Sequence, residues 1–232
     1  MREKFPIFIA LLRLYFLGIF SFFALRLSVA IFYLDDFFDP RFWQNGFSLL
    51  RAFATGIRFD SIILGYTLTI TCLLLFLCQW VNRPKRKIGI QLAYFYSLLC
   101  FFIYGALSIL DFYFLAAFQE RLNMPALRVL SHSVLSFKEI QQVPSSIFLL
   151  TIVPIILMIY FWNFFRREQR KFLFSLRKLG WPRRVIEFVI CSLLVVLCAR
   201  GKLSGGMPTG FSAAFFSRDD RLNQISLNPV FT

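Results

Sequence analysis

Histidine is almost absent from this chain. His132 is the only one in 232 residues, and only twelve side chains are Asp or Glu. A hydrolytic metal centre gathers several such ligands at close spacing, and no second His, Cys or carboxylate stands near His132 at that spacing. Ser131 and Ser133 flank His132, but adjacency in sequence does not make a triad. No Gly-Lys-Ser or Gly-Lys-Thr occurs, so the glycine-rich stretch 201–210 is not a phosphate-binding loop. The acidic pairs Asp35-Asp36 and Asp219-Asp220 read as solvated turns. Cysteine is scarce: Cys72, Cys78, Cys100, Cys191 and Cys198 all fall in apolar runs, which indicates packing, not a disulfide framework. Repeats and low-complexity tracts are missing as well. The sequence therefore offers no catalytic residue, no metal ligand and no cofactor site of its own.

What it has in abundance is apolar surface. Hydrophobic residues make up 58% of the chain, with 32 Phe, well above the usual share for a soluble domain. They concentrate in five runs, 6–34, 59–81, 88–118, 146–165 and 185–199. About 20 helical residues cross a hydrocarbon core of about 30 Å. Four runs reach that length, and the fifth reaches it with Arg184 and Arg200 snorkelling outward. The first run is too long for a signal-peptide core and reads as a retained helix. The expected fold is an all-α membrane protein of five transmembrane helices plus short interfacial amphipathic helices.

The net charge of +14 invites a nucleic-acid reading, but the basic residues follow topology instead. With the N-terminus cytoplasmic, fourteen of the 26 Lys and Arg residues lie in short inner segments, ten in longer outer ones, and Arg13 and Arg26 within the first run. Positive residues stay inside, so the C-terminus is expected outside the cytoplasmic membrane. Trp80, Trp162 and Trp181 flank the inner loops as belt residues. Two outer amphipathic helices are expected to lie flat on the membrane. One covers 41–55, starts at Asp39-Pro40 and ends at Gly56; the other follows Met124-Pro125. The inner loop 166–184 reads as an amphipathic helix on the inner leaflet.

Ionisable groups inside spans cost about 2.5–3.5 kcal/mol on insertion scales, so each needs a partner or a purpose. Matching depth along the runs pairs Arg13 with Glu187 in the inner half. It gathers Arg26, Arg58, Asp60 and Asp111 in the outer half. The outer Arg58, Arg121 and Arg200 are candidate contacts to a lipid phosphate. The expected partners are membrane lipids, anionic phospholipid in particular, and not nucleic acid.

Several short motifs share one further property. Gly56-Ile57-Arg58-Phe59-Asp60, Asp111-Phe112-Tyr113 with Arg121-Leu122-Asn123, Ala199-Arg200-Gly201, Arg221-Leu222-Asn223 and Leu227-Asn228-Pro229-Val230-Phe231 occur in an order similar to that of one family. The chain resembles, over nearly its whole length, the N-terminal membrane domain of the lipoteichoic acid synthase and phosphoglycerol transferase family. That family carries a sulfatase-like, extracytoplasmic catalytic domain with a metal-held threonine nucleophile after a linker. The resemblance implies a membrane domain at 1–200 and an extracytoplasmic linker at 201–232. It implies anchoring and lipid docking for a phosphoglycerol- or phosphoethanolamine-type transfer, with the chain ending before any catalytic domain. The chemistry, and its divalent metal, would then belong to a domain not encoded here or to a separate catalytic chain. A small multispan transporter or channel subunit is the competing class, opposed by the lack of an inverted repeat. An inactive truncated fragment is the third reading.

Overall fold

The structure is a computed structural model, and it describes residues 5–32, 46–81, 83–118, 155–156, 159–168, 170, 180–201, 215–217 and 220–228. These residues form helices and turns, with no strand among them. The principal helices are α1 (Pro6–Phe32), α2 (Gly46–Leu77), α3 (Arg83–Phe118), α4 (Trp181–Arg200) and α5 (Asp220–Ser226). Residues 159–168 are also helical. Three helices are long and apolar enough to cross a membrane, over Pro6–Ser28, Phe47–Leu77 and Lys85–Phe112. Their outward faces carry Phe16, Phe20, Tyr66, Ile70, Phe95 and Phe102, all well exposed, a surface suited to acyl chains and not to water.

One boundary differs from the sequence expectation. Gly56 does not end an interfacial helix, because α2 runs unbroken from Gly46 to Leu77. One glycine in a helix interior costs only about 1 kcal/mol, and tertiary packing easily overrides that. The second outer helix, after Met124-Pro125, lies outside the described residues. So do the flat helix start at Asp39-Pro40 and most of the fourth run.

The chain divides into two compact units. The first comprises Met1–Phe20, Ser61–Ile103 and Leu157–Pro208. Here α2 and α4 run antiparallel, and their contacts step evenly: Arg184 donates to the Gln79 carbonyl at 3.1 Å, Phe76 stacks on Phe188 at 3.8 Å, and the Cys72 and Cys191 thiols are neighbours. At the far end a Cβ on Gly65 would overlap the backbone of Ala199. Small residues that let backbones approach this closely are how helices associate in lipid, where hydrophobicity alone gives no attraction. α2 and α3 are antiparallel too, joined by the Thr71 and Ser97 hydroxyls at 2.9 Å. Phe101 and Tyr94 of α3 meet Phe161 and Phe165 in turn.

One end of this unit is basic and aromatic. Arg86 and Arg184 both donate to the Gln79 carbonyl, and Arg86 also to that of Val81. These carbonyls follow the C-terminus of α2, where a helix lacks internal donors and favours cations. Trp80 and Trp181 meet edge to face at 6.4 Å, and the Arg166 guanidinium lies 4.8 Å over the Trp162 ring. α4 leaves this end after Gly180 and Pro182, and Gly201 closes it in the left-handed region at φ 66°.

The second unit comprises Ser21–Asp60, Tyr104–Ile156 and Thr209–Thr232. Its core gathers Ala30, Ala52, Phe112, Leu115 and Ile225, with Leu49, Phe53 and Phe216 packed against it. Ile225 comes from α5, almost two hundred residues along the chain from Ala30.

Candidate functional site

A buried polar group of the second unit lies between α1, α2 and α5. Arg26 of α1 forms a two-pronged pair with Asp60 of α2, at 2.6 Å and 2.8 Å. Its third arm, Nε, donates to the Ile225 carbonyl at 3.0 Å. Asn228 donates its amide to Asp60 Oδ1 at 2.6 Å. Asp60 is fully buried, and Arg26 and Asn228 are 5% and 2% exposed. The planar guanidinium fork suits a carboxylate in this geometry better than a lysine would. Gly56 makes room for it, since a Cβ there would overlap the Arg26 guanidinium. Gly56 and Asp60 lie one helical turn apart on the same face of α2. The glycine admits the cation and the carboxylate receives it.

The docked segment is shaped by its own bonds. Asn223 accepts from the Ser217 amide and donates to the Ser217 carbonyl, at 3.1 and 2.9 Å. Leu222, Asn223, Ile225, Ser226, Leu227 and Asn228 are all buried. The Arg51 guanidinium lies 5.0 Å over the Phe216 ring. Within the stretch expected as a linker, residues 216–217 and 222–228 are thus packed into the second unit. Seven residues of α5 carry too short a pattern to announce an amphipathic helix, and the contacts that hold it are supplied by distant parts of the chain.

Of the outer cluster expected from depth, Arg26 and Asp60 are paired. Asp111 is buried in the same unit, while Arg58 faces outward from α2 and Arg200 outward from the end of α4. Arg121 lies outside the described residues. Arg26 is poorly placed to hold a lipid phosphate, because Asp60 takes both its terminal nitrogens and the Ile225 carbonyl takes Nε.

The inner pair is corrected. Arg13 bonds Glu168 at 2.6 Å, not Glu187. Glu187 instead accepts the backbone amides of Ile7 and Phe8 at 2.6 and 3.1 Å. Those amides belong to the first turn of α1, whose donors have no partner within the helix. A carboxylate there satisfies two of them and suits the positive end of the helix dipole. Sequence depth alone cannot anticipate a backbone acceptor site supplied by another helix. Glu187 Oε2 is buried and has no hydrogen-bond partner among the described residues.

Beside this, an open apolar cavity of about 160 Å³ lies within the first unit. Leu11 and Tyr15 of α1, Gly65 and Leu68 of α2, and Val195 and Cys198 of α4 are among its lining. No group of three or more His, Cys, Asp and Glu that could hold a metal ion occurs among the described residues. No family model, curated protein or solved structure matches the chain.

Proposed function

We propose that this chain is the anchoring and lipid-docking part of a sulfatase-like phosphoglycerol- or phosphoethanolamine-type transferase of the cell envelope. It would be non-catalytic by itself and would cross the cytoplasmic membrane five times, with its N-terminus inside and its C-terminus outside. The observation that carries the reading is a convergence. Gly56, Asp60 and Asn228 belong to two of the motifs on which the resemblance rests, and they meet at Arg26. Motifs scattered along the chain by chance have no reason to assemble one buried polar site. The antiparallel contacts of α2 with α3 and α4, and of α3 with the helix at 159–168, support an up-and-down bundle of five. The two tryptophans and two arginines at one end support its inner face. The apolar cavity of the first unit accommodates part of an acyl chain. Arg58 and Arg200 are exposed, and their guanidinium groups suit anionic headgroups. A transferase acting on lipid headgroups gains effective concentration from such an anchor.

The reading is tested in two steps. A phosphatase reporter fused after Thr232 should be active and a fluorescent reporter there dark; the opposite result refutes the topology. In nanodiscs containing phosphatidylglycerol, native mass spectrometry should find retained anionic lipid, reduced severalfold by Arg58→Ala with Arg200→Ala. Equal retention by the wild type and the double variant refutes lipid docking.

A further inference from the structure

We infer that the Arg26–Asp60 pair is a clamp for the C-terminal segment, fixing the position of the chain at Asn228. The inference rests on the anchoring reading above and gives it a mechanism. A buried ion pair is rarely retained for stability, since apolar residues of similar volume do as well or better. Its use lies in specificity, and here the specificity points at one segment. Three separate bonds read it. Asn228 is recognised by its amide on Asp60 Oδ1. Ile225 is recognised by its carbonyl, at the end of α5, where a helix has free acceptors and welcomes a cation. The Ile225 side chain enters the core of Ala30, Ala52, Phe112 and Leu115. α1 and α2 supply the polar half of the seat, and α1, α2 and α3 supply the apolar half.

The receiving side is built to suit. Gly56 leaves the volume into which the guanidinium fits, and Asp60 orients it through two bonds so that Nε points at the segment. A seat made only to neutralise Arg26 needs neither the Asn228 bond nor the carbonyl bond. The clamp therefore makes 222–228 a rigid continuation of the second unit. Whatever follows Asn228 starts from a fixed point instead of swinging on a tether.

The test uses the full chain in nanodiscs, with a self-labelling tag protein fused directly after Thr232 and loaded with a fluorescent dye after purification. Asn228→Ala leaves the Arg26–Asp60 pair in place, and Asn228→Asp sets a second carboxylate against Asp60. Amide exchange over 222–228 should quicken about tenfold or more in Asn228→Ala, the scale of one lost hydrogen bond to a charged group, and further in Asn228→Asp. Exchange over 62–75 should not change. The fluorescence anisotropy of the fused protein should fall in the same order. Unchanged exchange and anisotropy in both variants overturn the clamp, as does quickening that spreads equally through α2. Asp60→Asn provides a second route to release should the Asn228 variants express poorly. The outcome is separable from the anchoring reading: a clamp that fails leaves lipid retention and reporter topology as they were, and a cytosolic reporter signal leaves the exchange pattern as it was.

Discussion

Asp60→Ala is the single change with the largest forecast cost. It takes away the partner of two guanidinium nitrogens in a site where Arg26 is 5% exposed. It also takes away the acceptor of the Asn228 amide. Stranding one member of a buried pair costs about 3–5 kcal/mol. Arg26→Met should cost a similar amount by stranding Asp60 with only Asn228 as a donor. The double variant Arg26→Met with Asp60→Leu strands no charge. What remains lost are the partners of the Asn228 amide and the Ile225 carbonyl, about 1–3 kcal/mol each if left unpaired. The double change should therefore fall short of the sum of the single ones by about 3 kcal/mol or more. Reversible unfolding in mixed micelles, with the detergent ratio as denaturant and far-UV circular dichroism as signal, gives all four stabilities. Two results refute the reasoning: a cost below about 1 kcal/mol for Asp60→Ala, or additivity within about 0.5 kcal/mol, as for unconnected sites.

The same titration reads three further changes. Gly56→Ala should cost about 1–3 kcal/mol by driving a methyl into a guanidinium that three bonds hold still. It should become nearly neutral in the Arg26→Met, Asp60→Leu background. Gly65→Ala meets backbone, not a movable side chain, at Ala199; it should cost about as much, with no background that rescues it. Glu187→Ala removes the acceptor of two amides in the first turn of α1, worth about 0.5–2 kcal/mol, and should quicken hydrogen exchange at Ile7 and Phe8. Glu187→Gln, which keeps a carbonyl oxygen there, should lose less than half as much.

The elements that were legible in the sequence are those set by composition over long stretches. α1 begins at Pro6, where the first run begins, and α3 covers the whole of the third run, 88–118. The pairing of Arg26 with Asp60 was within reach because both charges sit in apolar runs at similar depth, and burial leaves such groups few alternatives. Depth alone does not single out the partner of Arg13. Two carboxylates lie near its level, and Glu168, counted with the polar loop, takes it. A backbone amide never appears in a list of side-chain partners, so Glu187 as a cap was invisible. The local preference of Gly56 reads as punctuation. Its purpose depends on a side chain thirty residues earlier. The burial of 222–228 had no local signature, because its apolar positions are few and its polar ones, Asn223 and Asn228, resemble loop residues until their partners are known.

The even stepping of the α2–α4 contacts makes this interface intolerant of a change in length. Inserting a single residue between Gly65 and Gln79 would turn one end of α2 by about 100° and advance it by about 1.5 Å against α4. The Gly65–Ala199 approach and the Gln79–Arg184 bond could not then both survive. Natural variants should accordingly exchange lipid-facing side chains freely along this stretch while never gaining or losing a residue in it.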